Sequence, residues 1–268
     1  SNEMMLRYLL TIGATTFRIT CFYTDLFNGL FGTAFTLFYS CYPILHNPLP
    51  FPVCERTDPN INKCLKSAIQ DSLPLLINGL PEYGISPIEP IVIPEWTVPA
   101  KPPLDYNQIH KNWIIHHFAK STIEETQIAL NDTQFFLVLI GDGSEIIGHL
   151  EYQYDNAFID GMDVSSKGYF TYTYYGLKYE LHFNGTIQSD IIVVTDCKMR
   201  FISMEKFVNK FESNDTLKAQ KLTDYYNSNA QYIVANDKEG YEKTYANAFK
   251  NIANNVLSKL AYKKLFGS

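Results

Sequence analysis

The chain has 268 residues, enough for one large domain, and 22 Lys and Arg against 28 Asp and Glu give a formal net charge of −6. This mild acidity argues against nucleic acid or an anionic membrane surface as partner, since both call for basic patches. Charged residues are only 19% of the chain, while 19 tyrosines, 18 phenylalanines and two tryptophans make it unusually aromatic. That excludes a disordered chain, and no glycine period or coiled-coil composition is present.

Residues 1–48 read differently from the rest. Arg7 and Arg18 are their only basic residues, and no Asp, Glu, Lys or Arg occurs from Leu26 to Cys54. The run Leu30–Leu45 is apolar and aromatic but short for a membrane-spanning helix of about 20 residues. It suits a secretory leader or anchor, with Ser40 and Cys41 near a cleavage point; a buried aromatic helix is the alternative. Residues 49–268 are then the folded domain.

After Pro48–Pro52, Asp58 and Pro59 form an N-cap and first-turn pair. Ile61, Cys64, Leu65, Ala68, Ile69, Leu73 and Leu76 follow at spacings of mostly three and four, which predicts an amphipathic helix. Pro74 is expected to kink it, and Gly79 with Pro81 to end it. Seven prolines between Pro81 and Pro103 then predict extended chain.

From about Asn107 to Phe211 the apolar period becomes two. Thr122–Leu130, Gln134–Ile140, Glu145–Tyr154, Lys167–Thr173, Lys178–Ile187 and Ile191–Ser203 read as long antiparallel strands rich in Ile, Val, Thr, Tyr and Phe. Gly141–Ser144 and Asp160-Gly161 supply turn chemistry, while Asn184-Gly185 suits either a turn or a bulge within a strand. Tyr245, Phe249, Ile252, Ala253, Val256, Leu257 and Leu260 form the stripe of a C-terminal helix. The predicted fold class is α+β, a long curved antiparallel sheet wrapped around that helix. Such a sheet carries more apolar surface than one helix covers, and the surplus can line a cavity.

Catalytic and metal readings find little support. His116 and His117 are adjacent, so on a strand they point to opposite faces and cannot chelate together; with His110 they read as structural or surface histidines. Gly141-Asp142-Gly143 joins two strands rather than opening a helix, which disfavours a phosphate loop. Asp155, Asp160 and Asp163 miss the spacing of a calcium loop. No nucleophile-elbow motif occurs. No enzyme activity, cofactor or metal is therefore expected.

Five cysteines include no C-x-x-C pair, but Cys54 and Cys64 are close enough for a small loop disulfide in an oxidising compartment. Asn131, Asn184 and Asn214 each open an N-x-S/T sequon, as in an exported glycoprotein.

Two terminal segments carry a family resemblance. The first is Cys54-x3-Asp58-Pro59-Asn60-x-Asn62-x-Cys64-Leu65, with Asn78-Gly79-Leu80-Pro81-Glu82-x-Gly84-Ile85, Glu89-Pro90 and Ile93-Pro94-Glu95 after it. The second is Phe249-x2-Ile252-Ala253-Asn254-x-Val256-x-Ser258-Lys259-Leu260 with the closing Tyr262–Phe266; between them Phe211–Asn214 stands where a step into a helix is usual. These resemble the insect takeout and haemolymph juvenile-hormone-binding proteins over roughly residues 50–268. The resemblance implies an α/β-wrap with an apolar tunnel, similar to bactericidal/permeability-increasing-type domains. It also implies secretion, a Cys54–Cys64 disulfide, and a small hydrophobic ligand such as a juvenile-hormone-like terpenoid, a fatty acid or another lipid. Cys197 has no evident partner, which points to the takeout branch rather than the hormone carriers with two disulfides.

Expected tunnel residues are Leu73, Ile77, Trp96, Phe136, Tyr152, Tyr172, Phe183, Phe201, Phe249 and Val256. The reading is a secreted carrier without nucleic-acid partner or stable membrane association. The alternative is an extracellular interaction protein with a vestigial tunnel, binding a receptor through its surface.

Overall fold

The computed structural model describes residues 5–12, 15–22, 40–43, 49, 51–102 and 104–267, the first three segments by backbone alone. The chain divides into two compact units, residues 1–49 and 50–268. In the first, β1 (Met5–Ile12), β2 (Thr15–Phe22) and β3 (Ser40–Pro43) form an antiparallel sheet in that order. Of the apolar run read as a leader, residues 40–43 are β3 and residues 30–39, 44 and 45 lie outside the described residues.

The second unit opens with helix α1 (Ile61–Leu76). It starts later than the Asp58-Pro59 pair suggests. The Asp58 carboxylate accepts from the Asn60 N–H at 2.8 Å, a local turn that stands just outside the helix. Pro74 lies in the last turn, where the helix is about to end, and Gly79 takes the positive φ of 74° that lets the chain turn away. The proline-rich segment runs into strand β4 (Ile91–Val98).

The sheet is built on two very long strands, β7 (Gln134–Tyr154) and β10 (Ser166–Gln188), paired antiparallel along almost their whole length. Each changes its outer neighbour half-way. One half of β7 pairs β6 (Thr122–Leu130) and the other pairs β5 (Gln108–His116), which is itself flanked by β4. Similarly β10 pairs β12 (Lys206–Ser213) and then β11 (Ile191–Ser203).

Gly141–Ser144 is therefore not a hairpin: it lies inside β7, correcting the sequence expectation. Gly176 lies inside β10 with φ 56°, opposite the same level. Inward-facing residues are odd-numbered in 135–143 and even-numbered from 146 on β7, and the parity of β10 flips at Gly176. The glycines serve as bends that keep both halves of each strand facing one interior. Asp160-Gly161 does form the tight turn between β8 (Phe158–Ile159) and β9 (Met162–Asp163), with both residues at positive φ. Asn184-Gly185 is a bulge against β11.

Asp215 caps helix α2 (Thr216–Ser228) by accepting from the Lys218 N–H at 3.1 Å. Helix α3 (Ala230–Leu257) packs along β11 and touches β4 and β12, and the short α4 (Tyr262–Phe266) closes the chain. Helix α1 covers β6. The result is a curled sheet with helices on its inner face, as the α+β reading predicted.

Candidate ligand-binding cavity

The interior has a hollow half and a solid half. The hollow half lies between β6, the paired ends of β7 and β10, α1 and the second half of α3. Its inner chamber has a volume of about 200 Å³ and is walled by Leu73 and Ile69 of α1, Leu137 and Leu139 of β7, Phe183 and Leu181 of β10, and Phe249 and Ile252 of α3. An outer chamber of about 150 Å³ continues towards Phe51, Leu65, Leu260 and Phe266. Ile69, Leu73, Val256 and Leu257 line both.

Both chambers are apolar. Among the described residues the one charged side chain in either wall is Glu89, and it is already engaged: its carboxylate accepts from the Ala119 N–H at 2.6 Å and the His117 N–H at 3.2 Å. These bonds hold the turn that presents Phe118 to the inner chamber. Apolar spaces without polar partners hold water poorly and favour apolar ligands. A larger open hollow of about 660 Å³ lies beside Lys111, Glu151, Lys167 and Glu212. Its walls mix these charged side chains with Ile109 and Tyr169 and stand open to solvent, so an apolar molecule there would stay largely wet.

The solid half is filled by rings. Trp113 donates to the Tyr172 hydroxyl at 2.8 Å, and the Tyr172 and Tyr245 hydroxyls share a hydrogen bond of 2.6 Å. Trp96 stacks on Trp113 at 5.3 Å, and Phe170 stacks on Phe211 at 4.3 Å. Deeper still, His110 shares a hydrogen bond of 3.0 Å with Tyr154, and the Tyr226 hydroxyl donates to Gln108 at 2.9 Å. Burial raises the pKa of Tyr172, Tyr226 and Tyr154 and lowers that of His110 to about 3, so all are neutral groups at ordinary pH.

Of the ten expected tunnel residues, the structure brings Leu73, Phe183, Phe249 and Val256 together on the cavity wall. Trp96, Tyr152, Tyr172 and Phe201 belong to the ring-filled half: Tyr152 packs on Tyr154, and Phe201 on Tyr245. Phe136 faces the outside of the sheet beside His182, because inward residues on that part of β7 are odd-numbered. Ile77 caps the end of α1 and is no part of either wall. Sequence reasoning missed Leu137, Phe118 and Tyr179. In Phe135–Ile140 every residue is apolar, so alternation gives no parity, and only the partner strand decides it.

The Cys54–Cys64 disulfide is formed, and Cys197 is a buried free thiol facing the interior, its pKa pushed up to about 12 by desolvation. Asn131 and Asn214 are exposed, in the β6–β7 turn and just before α2, whereas Asn184 is half-buried within the β10–β11 ladder. His117 lies 3.7 Å from Glu145. Among the described residues no group of three or more His, Cys, Asp or Glu side chains converges to hold a metal, and no helix is long and apolar enough to cross a membrane.

The family model for haemolymph juvenile hormone binding protein matches residues 33–267. The chain belongs to this family. The crystal structure of takeout 1 from Epiphyas postvittana superposes with a TM-score of 0.67 at 12% identity, covering 81% of this chain and 99% of that one. Lipopolysaccharide binding protein aligns over 74% of this chain and 38% of its own at 12% identity, with a TM-score of 0.37. No curated protein matches in sequence. The juvenile-hormone-binding family thus contains a member whose interior is only half hollow.

Proposed function

We propose that this chain is a secreted, non-catalytic carrier of a small hydrophobic ligand, held in the apolar chambers between α1, α3 and the curled sheet. The observation that carries the reading is the cavity itself, lined by aliphatic side chains, Phe118, Phe183, Phe249 and Tyr179, with one charged group that the backbone already occupies. Burial of apolar ligand surface at about 25 cal/mol per Å² supplies the affinity, reduced by the cost of association. Ligands of this kind include a juvenile-hormone-like terpenoid, a fatty acid or another lipid. Residues 49–268 form the carrier in this reading and residues 1–48 its leader or anchor. The loop disulfide fits an extracellular, oxidising compartment.

Native mass spectrometry of protein secreted from insect cells, followed by extraction of bound lipid, tests the proposal. A stoichiometric apolar molecule is expected. Protein that emerges empty, and stays empty when offered juvenile hormone and fatty acids after delipidation, would overturn it in favour of a surface-interaction role.

A further inference from the structure

The hollow stops at a definite place. Along β10 the wall is made in order by Phe183, Leu181 and Tyr179, and no residue nearer the middle of that strand takes part. Tyr179 stands directly opposite Gly141 of β7. A Cβ at Gly141 would lie 2.5 Å from Cζ and 2.6 Å from the hydroxyl oxygen of Tyr179. The ring therefore lies flat over the glycine, occupying the space that any side chain there would fill.

On the hollow side the Tyr179 ring faces Phe249 at 6.3 Å, and it meets Phe118 edge-on at 5.4 Å. Behind Phe118 stands Tyr245, 5.4 Å away, locked to Tyr172 by the short hydroxyl bond. Past this point the interior is packed with rings, so a ligand chain entering from the outer chamber ends at Tyr179 and Phe118.

We propose that Tyr179, laid flat by the missing side chain of Gly141, is the specificity-determining residue that sets the length of ligand the cavity accepts. This rests on the carrier reading above. Two substitutions on different strands should move the limit in opposite directions. Tyr179→Leu shortens the wall and deepens the chamber. Gly141→Ala pushes the ring off the sheet and into the chamber, while its ordinary backbone conformation tolerates alanine. A merely weakened fold would lower affinity for every ligand alike, without a change of preferred length.

The test is displacement of the fluorescent probe N-phenyl-1-naphthylamine from delipidated full-length protein by straight-chain methyl esters of increasing length. With Tyr179→Leu, esters about two carbons beyond the wild-type optimum should bind about tenfold better than they do to wild type, the gain of two newly buried methylenes. With Gly141→Ala the optimum should move to shorter esters. Circular dichroism checks both variants for folding; if Tyr179→Leu does not fold, the direction of the Gly141→Ala shift decides. Variants that bind esters with the wild-type length preference would overturn the proposal and leave the carrier reading standing. Wild-type protein that binds neither probe nor esters would overturn both.

Discussion

Tyr172 of β10 lies across Gly148 of β7, its register partner, so that its hydroxyl passes over one strand and reaches Trp113 on the next at 2.8 Å. Tyr179 over Gly141 repeats this arrangement seven residues further along both strands. A glycine under a flat tyrosine ring lets a strongly curled sheet carry large side chains without crowding, since the ring covers the backbone that the glycine leaves bare. The same tyrosine then ties the sheet to α3 through Tyr245.

Gly148→Ala should therefore be costly. The new Cβ would overlap the Tyr172 ring, and displacing that ring breaks its bonds to Trp113 and Tyr245 together. The expected loss is about 2–4 kcal/mol from overpacking and unmet buried hydrogen bonds. Urea denaturation followed by tryptophan fluorescence reads it; an unchanged midpoint would mean the ring finds another seat at no cost.

The small loop closed by Cys54 and Cys64 anchors the wall of the outer chamber, where the Cys54 N–H also donates to the Leu265 carbonyl at 3.2 Å. Closing a loop of this size removes unfolded-chain entropy worth about 2–3 kcal/mol. Replacing both cysteines by serine should lower stability by that amount and make the denaturation midpoint insensitive to reductant. A wild-type midpoint that is equally insensitive would contradict the bond's stabilising role.

His110 gives the stability a defined pH dependence. The imidazole is buried, its Nδ1 has no partner among the described residues, and desolvation lowers its pKa from 6.5 to about 3. Above pH 6.5 neither the folded nor the unfolded chain holds this proton. Between pH 6.5 and about 3 the unfolded chain binds it and the folded chain does not, so stability falls as pH falls, by about 1.4 kcal/mol per unit at full slope. The difference between wild type and His110→Gln, measured as unfolding free energy from pH 7 to pH 4, isolates this group from the carboxylates that titrate in the same range. Parallel curves would refute the assignment.

Among the described residues neither chamber wall contains a lysine, arginine or histidine, and the Glu89 carboxylate stands in the inner one. A ligand carboxylate buried there would be desolvated without a cationic partner, at a cost of several kcal/mol. At pH 8 a methyl ester should thus displace a fluorescent apolar probe at least about tenfold better than the free acid of the same chain. Equal potency of acid and ester would show that the acid keeps its head group outside the cavity.

Some of this was legible in the chain alone, because it depends on local periodicity. Thr122–Leu130 and Ile191–Ser203 coincide with β6 and β11, the amphipathic spacing of Ile61–Leu76 gives α1, and the stripe from Tyr245 is the inner face of α3 as far as Leu257, with Leu260 falling beyond the helix end. The cysteine and proline motifs at one end and the final helix at the other carry the family signature. What only the tertiary structure decided is the role of the glycines and the side each aromatic takes. Gly141-Asp142-Gly143 has the composition of a turn, yet it continues a strand because β10 and β6 supply ladder partners on both sides. Phe136 points out and Leu137 in because both long strands flip parity near their middle, opposite Gly176. In a run where every residue is apolar, alternation carries no phase. Which rings fill the interior and which leave it hollow then depends on partners tens of residues away, brought alongside only when the sheet curls around α3.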